Sequence, residues 1–502
     1  MQFNSYIFIL FFLPITFLGY FGLNHFEKDK AARIFLTVMS LWFYGYFNYS
    51  YLLIIIASIV VNFLIYKNME RAKKPLLFLG LLFNVGLIFY FKYYDFFVGN
   101  INAAFKTDFI LRHITLPLGI SFFTFQQISF IVDAYRGEVK NYSFSEYALF
   151  VSFFPQLVAG PIVLHSELVP QFRDKAKHRV NFDNLSHGVM MFTLGLSKKV
   201  IIADTFGGAV DFGIQQARTI AVGEGALTIS EIIIVMLSYT FQIYFDFSGY
   251  SDMATGLGYM FNLKIPMNFN SPYKALSVAD FWKRWHMTLT RFLTTYIYIP
   301  LGGNRKGKLR TYINTMVVFL VSGIWHGANW TFILWGILHG IAQCFNKLTG
   351  GFYKKLCEAI EKASIGKAVT GVFKGIQWFV TFAFLNVTWL LFRADSVTMW
   401  RQILKRLTVL NLDVRDGILE PFRIPKLRYL LKALHVYSGD NMVLWVSMIF
   451  VMVMALVLCL AFPNNYERPH KRNARSLVLT WGLLTLCIVS LSSVSTFLYF
   501  NF

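Results

Sequence analysis

The segment from residue 311 to residue 346 contains 36 consecutive residues without Asp, Glu, Lys or Arg. A helix needs about 20 apolar residues to cross the hydrocarbon core of a bilayer, so this segment is long enough to enter the membrane more than once. It nevertheless contains two histidines, His326 and His339. A polar side chain in hydrocarbon without a partner costs roughly 2–7 kcal/mol, so each histidine must be hydrogen-bonded, contact water or take part in a reaction.

The composition places the whole chain in a membrane. Of its 502 residues, 56% are hydrophobic and 15% are charged, whereas about a quarter of the residues in a soluble globular protein are charged. Apolar blocks recur along the chain, and neither an internal repeat nor a separate soluble domain is visible. We therefore predict an all-α, polytopic transmembrane bundle of roughly ten to twelve spans, with re-entrant or interfacial helices, that takes up residues 1–502 as one domain.

Basic residues indicate which loops face the cytoplasm. The net charge is +21, and the segment from Asn262 to Tyr312 contains nine basic residues and one acid, Asp280. The positive-inside rule places this segment and Lys347 in the cytoplasm. We expect no nucleic-acid partner. Residues 311–346 then have cytoplasm on both sides. This favours a hairpin of two short helices with His326 at its tip, and a single tilted helix is the competing possibility.

Two carboxylates lie at the end of an apolar block, in the stretch Tyr244–Ala254. Helical spacing puts Asp246 and Tyr250 on one face of this block, where they form a polar stripe that lines water or another helix. Asp252 follows two residues later. These three side chains are candidate substrate ligands, and a structural role between helices is the alternative for both carboxylates.

A third polar region combines tryptophans, basic residues and another histidine in residues 281–286. Such residues often anchor a chain at the lipid headgroups, but His286 precedes His326 by only 40 residues, which makes a shared site plausible. The turn Gly302–Gly307 adds Arg305 and several backbone N–H groups, which suit a phosphate, although an ordinary cytoplasmic loop is the alternative. The four cysteines are scattered, and we expect no metal site.

Four motifs carry a family resemblance. They are Tyr-Phe-Asp-Phe-Ser-Gly-Tyr-Ser-Asp-Met-Ala from residue 244, Phe-Trp-Lys-Arg-Trp-His from residue 281, Tyr-Ile-Pro-Leu-Gly-Gly-Asn-Arg from residue 298 and Ser-Gly-Ile-Trp-His-Gly-Ala-Asn-Trp from residue 322. In this order they resemble the membrane-bound O-acyltransferase family, and within it the bacterial branch that includes the membrane subunit of alginate O-acetylation. The resemblance implies a ring of helices around a thinned catalytic centre. It also implies that His326 is the family's invariant histidine and His286 its second catalytic position.

The resemblance further implies the substrates. The expected donor is cytoplasmic acetyl-CoA, with no bound cofactor, and the expected acceptor is a hydroxyl of a cell-envelope polysaccharide or exopolysaccharide. Transfer is expected directly or through an extracytoplasmic partner acetyltransferase that docks on the exposed aromatic tail Phe497–Phe502. The protein is then a multi-pass protein of the bacterial cytoplasmic membrane, in contact with lipid.

The resemblance and the residue patterns described above together give the candidate site residues. His326 is expected to act as general base, because burial disfavours the imidazolium, and His286 or Asn329 to hydrogen-bond the developing oxyanion. His339 is expected to be structural. The candidate substrate-binding residues are Asp246, Tyr250, Asp252, Trp285, Trp325 and Asn329, and the candidate donor-binding residues are Lys283, Arg284 and Arg305.

Two other functions remain open at this point. A D-alanyltransferase for teichoic acids belongs to the same superfamily and takes its acyl group from a carrier-protein thioester. A transporter also places Asp and His side chains inside the membrane, but transporters usually show related halves, and this chain does not.

Overall fold

The computed structural model describes residues 1–219, 226–361, 366–424, 426–467, 473–491 and 496–498, with the backbone alone at 352–354, 356–361 and 366–368. The described residues are helical apart from turns and loops. The first half of the chain contains α1 (Leu13–His25), α2 (Asp29–Gly45), α3 (Ser50–Asn68), α4 (Lys73–Ile88), α5 (Tyr94–Phe105), α6 (Ile120–Tyr135), α7 (Phe144–Ser152), α8 (Phe154–Leu157), α9 (His165–Arg173), α10 (Phe182–Ser197) and α11 (Asp204–Thr219).

The second half contains α12 (Ile229–Met260), α13 (Val278–Trp282), α14 (Met287–Leu293), α15 (Lys308–His326), α16 (Trp330–Glu361), α17 (Gly366–Arg393), α18 (Val397–Arg406), α19 (Asp416–Leu419), α20 (Leu427–Ala433), α21 (Asp440–Leu460) and α22 (Ala474–Val489).

The predicted polytopic helical fold is confirmed. Six helices within the described residues are long and apolar enough to cross a membrane: Phe8–His25, Ser50–Asn68, Lys73–Phe105, Ile229–Met260, Val369–Arg393 and Asp440–Leu460. Other apolar stretches of the sequence form shorter or bent helices. The stretch 146–163 is an example, because it divides into α7, α8 and a buried loop, with Pro155 in the first turn of α8.

The long helix α12 forms the centre of the bundle. Of its most apolar 18-residue window, 83% is buried inside the protein, against 28% for α3. Two glycine pairs let α10 approach it closely: a Cβ on Gly188 would lie 2.5 Å from the carbonyl oxygen of Gly256, and one on Gly195 would lie 2.5 Å from that of Gly249. Small residues at matching positions are the usual means by which membrane helices pack at short distance.

An amide network joins the helices of the N-terminal half. The side chain of Asn84 on α4 donates to Asn62 on α3, and Asn62 donates to the Gln127 oxygen on α6 at 2.9 Å. Gln127 in turn donates to Ser58. Hydrogen bonds between membrane helices contribute about 0.6–2 kcal/mol each, so this network fixes α6 against its neighbours.

The segment 311–346 forms the predicted hairpin rather than one tilted helix. Helix α15 ends at His326, the chain turns through residues 327–329, and α16 returns alongside α15. The two helices touch through glycine: a Cβ on Gly323 would lie 2.4 Å from the carbonyl oxygen of Phe332, and one on Gly336 would lie 2.4 Å from that of Phe319. This contact places His326 at the tip of the hairpin.

Candidate active site

His326 is buried at the hairpin tip, inside a cage of aromatic rings. His326 is the last residue of α15, and it is 4% exposed. The imidazole centroid lies 5.1 Å from the rings of Trp335 on α16 and Phe392 on α17, and 4.9 Å from Trp325. The cage excludes lipid and most water from the imidazole, which favours the neutral form that can accept a proton.

A half-buried lysine holds the backbone beneath this histidine. Lys92, from the segment between α4 and α5, donates to the carbonyl oxygen of Trp325 at 2.7 Å and to that of His326 at 3.1 Å. The last carbonyls of a helix have no partner within the helix, and a cation is favourable at this end. Lys92 therefore fixes the position of His326. It was not among the predicted site residues, although a lone charge in an apolar block is a signal that points to it.

His286 is completely buried at the start of α14, with φ of 45°. Its Nδ1 lies 3.1 Å from the side-chain oxygen of Asn268. The same oxygen accepts hydrogen bonds from the backbone and hydroxyl of Thr288, which identifies it as the amide oxygen. Nδ1 of His286 therefore donates, and in the neutral ring Nε2 is the acceptor atom. The left-handed backbone is unusual for a non-glycine residue and is held here by these bonds.

The Trp325 indole lies between the two histidines. Its ring centroid is 4.9 Å from His326 and 6.0 Å from His286. On its other side it stacks on Phe125 of α6, with an interplanar angle of 19°. The structure therefore brings together three residues that the sequence assigned to one site, His326, His286 and Trp325.

Two open pockets lie at different levels of the hairpin. The pocket beside its two helices, which we call the stem pocket, has a volume of about 440 Å³. The pocket at its turn, the tip pocket, has a volume of about 630 Å³. The stem pocket is lined by Ala279, Trp282, Lys283, Leu289, Thr290, Leu293, Thr294, Tyr298, Thr315, Val318, Phe319, Ser322, Gln343, Asn346 and Lys347. The tip pocket is lined by Lys199, Asp204, Gly207, Gly208, Asp211, Gln242, Asn329, Thr331, Phe332, Phe392, Arg393, Ala394, Asp395, Thr496 and Leu498.

His326 lines neither pocket itself, but residues close to it line each of them. Ser322, one helical turn before His326, lines the stem pocket, and Phe392, whose ring contacts His326, lines the tip pocket. A further small cavity of about 30 Å³, enough for one water molecule, touches His326 itself together with Lys92 and Ser121. Lys283 and Lys347 give the stem pocket a positive mouth, and the positive-inside rule assigns this mouth to the cytoplasm.

The two carboxylates of α12 lie in ion pairs. Asp246 is 1% exposed and accepts from Lys199 at 2.7 Å, while Lys199 also contacts Asp204 at 2.8 Å. Asp252 accepts from Lys198 at 2.7 Å and from the side chain of Asn465 at 2.6 Å. These contacts favour the structural alternative for both carboxylates, and a role in substrate binding stays a prediction.

Tyr250 and Trp285 are buried in the aromatic core. The Tyr250 ring stacks on Phe3 with a centroid distance of 4.8 Å, and Trp285 stacks on Phe281 at 5.4 Å. Neither lines the stem pocket or the tip pocket. Asn329 does line the tip pocket, but its oxygen also accepts from the backbone N–H of Thr331 and so caps α16.

The three predicted donor-binding residues have different surroundings. Lys283 is exposed at the mouth of the stem pocket, in agreement with a role toward an anionic donor. Arg284 is paired with Asp280 at 2.9 Å. Arg305 lies exposed in the glycine turn that precedes α15. Lys347, which the sequence analysis did not assign to the donor, also lines the stem pocket, and its Nζ donates to Thr315 at 2.6 Å.

The aromatic tail is not exposed where the structure describes it. Phe497 is 1% exposed, and its ring lies 5.0 Å from that of Tyr250. The N–H of Leu498 donates to Asp246, and the carbonyl oxygen of Thr496 accepts from Lys199. The expectation of an exposed tail is therefore wrong for Phe497, because the backbone on either side of it hydrogen-bonds to the buried ion pair of Lys199 and Asp246. Residues 499–502 lie outside the described residues.

Further polar groups in the pockets escaped the sequence analysis. In the tip pocket, the side-chain oxygens of Gln242 and Thr331 are buried, and neither has a hydrogen-bond partner among the described residues. In the stem pocket the same holds within the described chain for the hydroxyl of Ser322, which is 1% exposed. Buried polar atoms without protein partners are rare, and water or a ligand supplies the missing bond.

The fold and its buried histidines define a polytopic membrane protein with polar, reactive groups at its centre. Residues 88–393 match the membrane-bound O-acyltransferase family, and the chain belongs to this family. It is 40% identical to the peptidoglycan O-acetyltransferase of Helicobacter pylori over 100% of this chain and 97% of that protein. It is 37% identical to a probable alginate O-acetylase of Pseudomonas aeruginosa over 80% of this chain and 74% of that protein.

A more distant relative is the teichoic acid D-alanyltransferase of Streptococcus thermophilus, which is 26% identical over 56% of this chain and 69% of its own length. These comparisons confirm the family and the enzyme class predicted from the four motifs. The protein is a multi-pass membrane acyltransferase of the O-acetyltransferase type. This enzyme class argues against the transporter hypothesis.

Proposed function

We propose that this protein transfers an acetyl group from acetyl-CoA to a hydroxyl group of a cell-envelope polysaccharide, at the bacterial cytoplasmic membrane. The observation that carries the proposal is the position of His326 at the hairpin tip, between a stem pocket with a cationic mouth and a polar tip pocket. The relatives support the acyl group and the acceptor class, since two of them are named as O-acetylating enzymes of peptidoglycan and alginate.

The donor side of the proposed reaction is the stem pocket. Its wall is largely apolar, which suits the pantetheine arm of coenzyme A, and Lys283 and Lys347 at its mouth suit the phosphates. The acceptor side is the tip pocket, where three carboxylates, Arg393 and the buried oxygens of Gln242 and Thr331 suit a hydroxyl-rich ligand.

His326 acts as the general base in this mechanism. It takes the proton of the acceptor hydroxyl while the oxygen attacks the carbonyl carbon of the thioester, because the alkoxide alone is negligibly populated at neutral pH. The tetrahedral intermediate then breaks its C–S bond. The coenzyme A thiolate leaves and takes the proton from the imidazolium, so the ester and free coenzyme A are the products.

His286 has a narrower role in this geometry. Its Nδ1 donates to Asn268, so Nε2 of the neutral ring is an acceptor and orients a donor such as the incoming hydroxyl. Stabilisation of the oxyanion by His286 requires the imidazolium form. A well-placed hydrogen-bond donor at an oxyanion is worth about 3–4 kcal/mol, and the side-chain amide of Asn329 at the tip pocket is the other candidate.

The partner protein remains part of the proposal. An extracytoplasmic acetyltransferase that receives the acetyl group would approach the tip pocket, which Thr496 and Leu498 line. In the D-alanyltransferase alternative a carrier protein would occupy the stem mouth instead. A discriminating observation is whether free acetyl-CoA alone supports transfer by purified protein.

The test uses the full-length protein in proteoliposomes with radiolabelled acetyl-CoA, together with the polysaccharide and the extracytoplasmic proteins of the producing cell. Acetyl transfer by the wild-type protein and its fall by at least 100-fold in His326→Ala are expected, because a general base contributes about 10²–10⁴-fold. His165→Gln serves as the matched control, since this equally buried histidine bonds Asp133 and Tyr142 outside both pockets. Transfer within a few-fold of wild type in His326→Ala would refute the base assignment.

A further inference from the structure

The stem pocket is closed toward His326 by one indole ring. Trp282 lines the pocket, and its ring centroid lies 5.7 Å from that of Trp335 and 5.2 Å from that of Phe319. Trp335 in turn contacts the imidazole of His326 at 5.1 Å. Any group that approaches His326 from the stem pocket therefore comes up against Trp282 and Trp335.

A chain of hydrogen bonds fixes the orientation of this indole. Nε1–H of Trp282 donates to Nδ1 of His339 at 3.1 Å. Nε2 of His339 lies 3.2 Å from the hydroxyl of Thr388, which itself donates to the α17 backbone. Because Nδ1 accepts, the imidazole of His339 carries its proton on Nε2 and donates it to Thr388. Both ring nitrogens of His339 are thus used to hold Trp282 in place.

The hydroxyl of Ser322 points to the kind of group that enters the pocket. It is 1% exposed, lines the pocket beside Trp282, and has no hydrogen-bond partner among the residues that the structure describes. A buried hydroxyl of this kind suits a carbonyl oxygen, such as that of an amide or a thioester. An apolar chain that carries carbonyl groups fits these surroundings, with its reactive end toward Trp282.

We propose that Trp282, positioned by His339, limits the length of the acyl group that the enzyme accepts. This inference rests on the proposed function. The acyl end of a donor that extends from the stem pocket toward His326 meets the Trp282 ring first, and the Trp335 ring lies behind it. On this proposal the Trp282 indole excludes a four-carbon acyl group and leaves room for a two-carbon one. His339 is a positioning residue, since it acts through this indole.

The experiment measures selectivity rather than rate alone. Full-length protein in proteoliposomes receives radiolabelled acetyl-, propionyl- or butyryl-CoA with polysaccharide from the producing cell, and the ratio of butyryl to acetyl esters is compared among variants. Trp282→Ala is expected to raise this ratio at least tenfold. Trp378→Ala is the matched control with an unchanged ratio, because Trp378 also donates through its indole N–H, to Tyr273, but lines neither pocket.

A second pair of variants tests the same inference if Trp282→Ala does not fold. His339→Gln retains an acceptor for the indole N–H and is expected to keep the wild-type ratio, whereas His339→Leu removes it and raises the ratio. An unchanged ratio in every folded variant, with acetyl transfer retained, overturns the inference and leaves the proposed function intact. Absence of acetyl transfer from coenzyme A by the wild-type protein refutes both.

Discussion

Replacement of Lys199 by methionine is expected to destabilise the protein by about 3–5 kcal/mol, because it leaves a buried carboxylate without its cation. Asp246 and Lys199 are 1% and 2% exposed, and their side chains meet at 2.7 Å. In Lys199→Met the Asp246 carboxylate keeps the N–H of Leu498 but loses its charged partner. The loss of stability in Asp246→Asn is expected to be smaller, about 1–2 kcal/mol. In this variant Lys199 still contacts the Asp204 carboxylate and still donates to the carbonyl oxygen of Thr496.

The double variant measures the interaction free energy between the two charges of the pair. Lys199→Met with Asp246→Asn removes both buried charges of the pair, so its destabilisation is expected to be smaller than the sum of the two single effects by about 2 kcal/mol. The assay is the apparent stability of the purified protein in detergent. Lys73→Met is the control, since its pair with Glu70 is long, at 3.6 Å, and exposed, and such pairs contribute about 0–1 kcal/mol.

The same variants decide what Asp246 does. If the carboxylate is structural, folded Asp246→Asn protein retains acetyl transfer at a temperature below its unfolding transition. A stable Asp246→Asn protein without activity would refute this reasoning and restore the prediction that Asp246 binds substrate. A loss of less than about 1 kcal/mol in Lys199→Met would refute the energetic part, because a broken buried pair costs more than that.

Three further outcomes are expected. Lys92→Met should lower acetyl transfer about tenfold or more with little change in donor affinity, measured as kcat against KM, since the carbonyls that end α15 lose their cation. Gly195→Ala should destabilise the protein by about 1–3 kcal/mol in detergent unfolding, because its Cβ would lie 2.5 Å from a carbonyl of α12, whereas Gly482→Ala, with nothing within 4 Å, should be neutral or stabilising. Burial by itself would raise the pKa of Glu146, but hydrogen bonds from Arg173 and Ser143 lower it to about 2 from the ordinary 4.5. Its contribution to stability is therefore complete above pH 4.5 and disappears as the pH falls toward 2, so the stability difference between wild type and Arg173→Gln should shrink over that interval in thermal unfolding.

The sequence favoured the hairpin, although it left a single tilted helix open, because two simple signals agree there. The absence of charge from residue 311 to residue 346 requires burial in the membrane, and the basic residues at both ends require a return to the same side. The glycines near residue 326 then identify where the chain turns. The acyltransferase family followed from motif order, and the comparisons confirm it.

Partners of buried charges were harder to anticipate. Asp246 and Asp252 stood out in the sequence, but Lys198 and Lys199, which neutralise them, lie on another part of the chain more than 40 residues away. Helical periodicity reports which face a residue occupies and gives no information on the helix that packs against it. The same limit hid Lys92, whose partners are backbone carbonyls 233 and 234 residues away.

The hairpin of α15 and α16 also constrains how the protein is made. Its turn comprises only residues 327–329, so we expect both arms to enter the lipid together during synthesis, as one unit with His326 at its tip. A single Lys or Asp at the centre of an inserting helix costs about 2.5–3.5 kcal/mol. Membrane insertion, and not only catalysis, therefore selects against charged residues in this segment. A neutral imidazole can accept a proton in the reaction without adding a charge that opposes insertion.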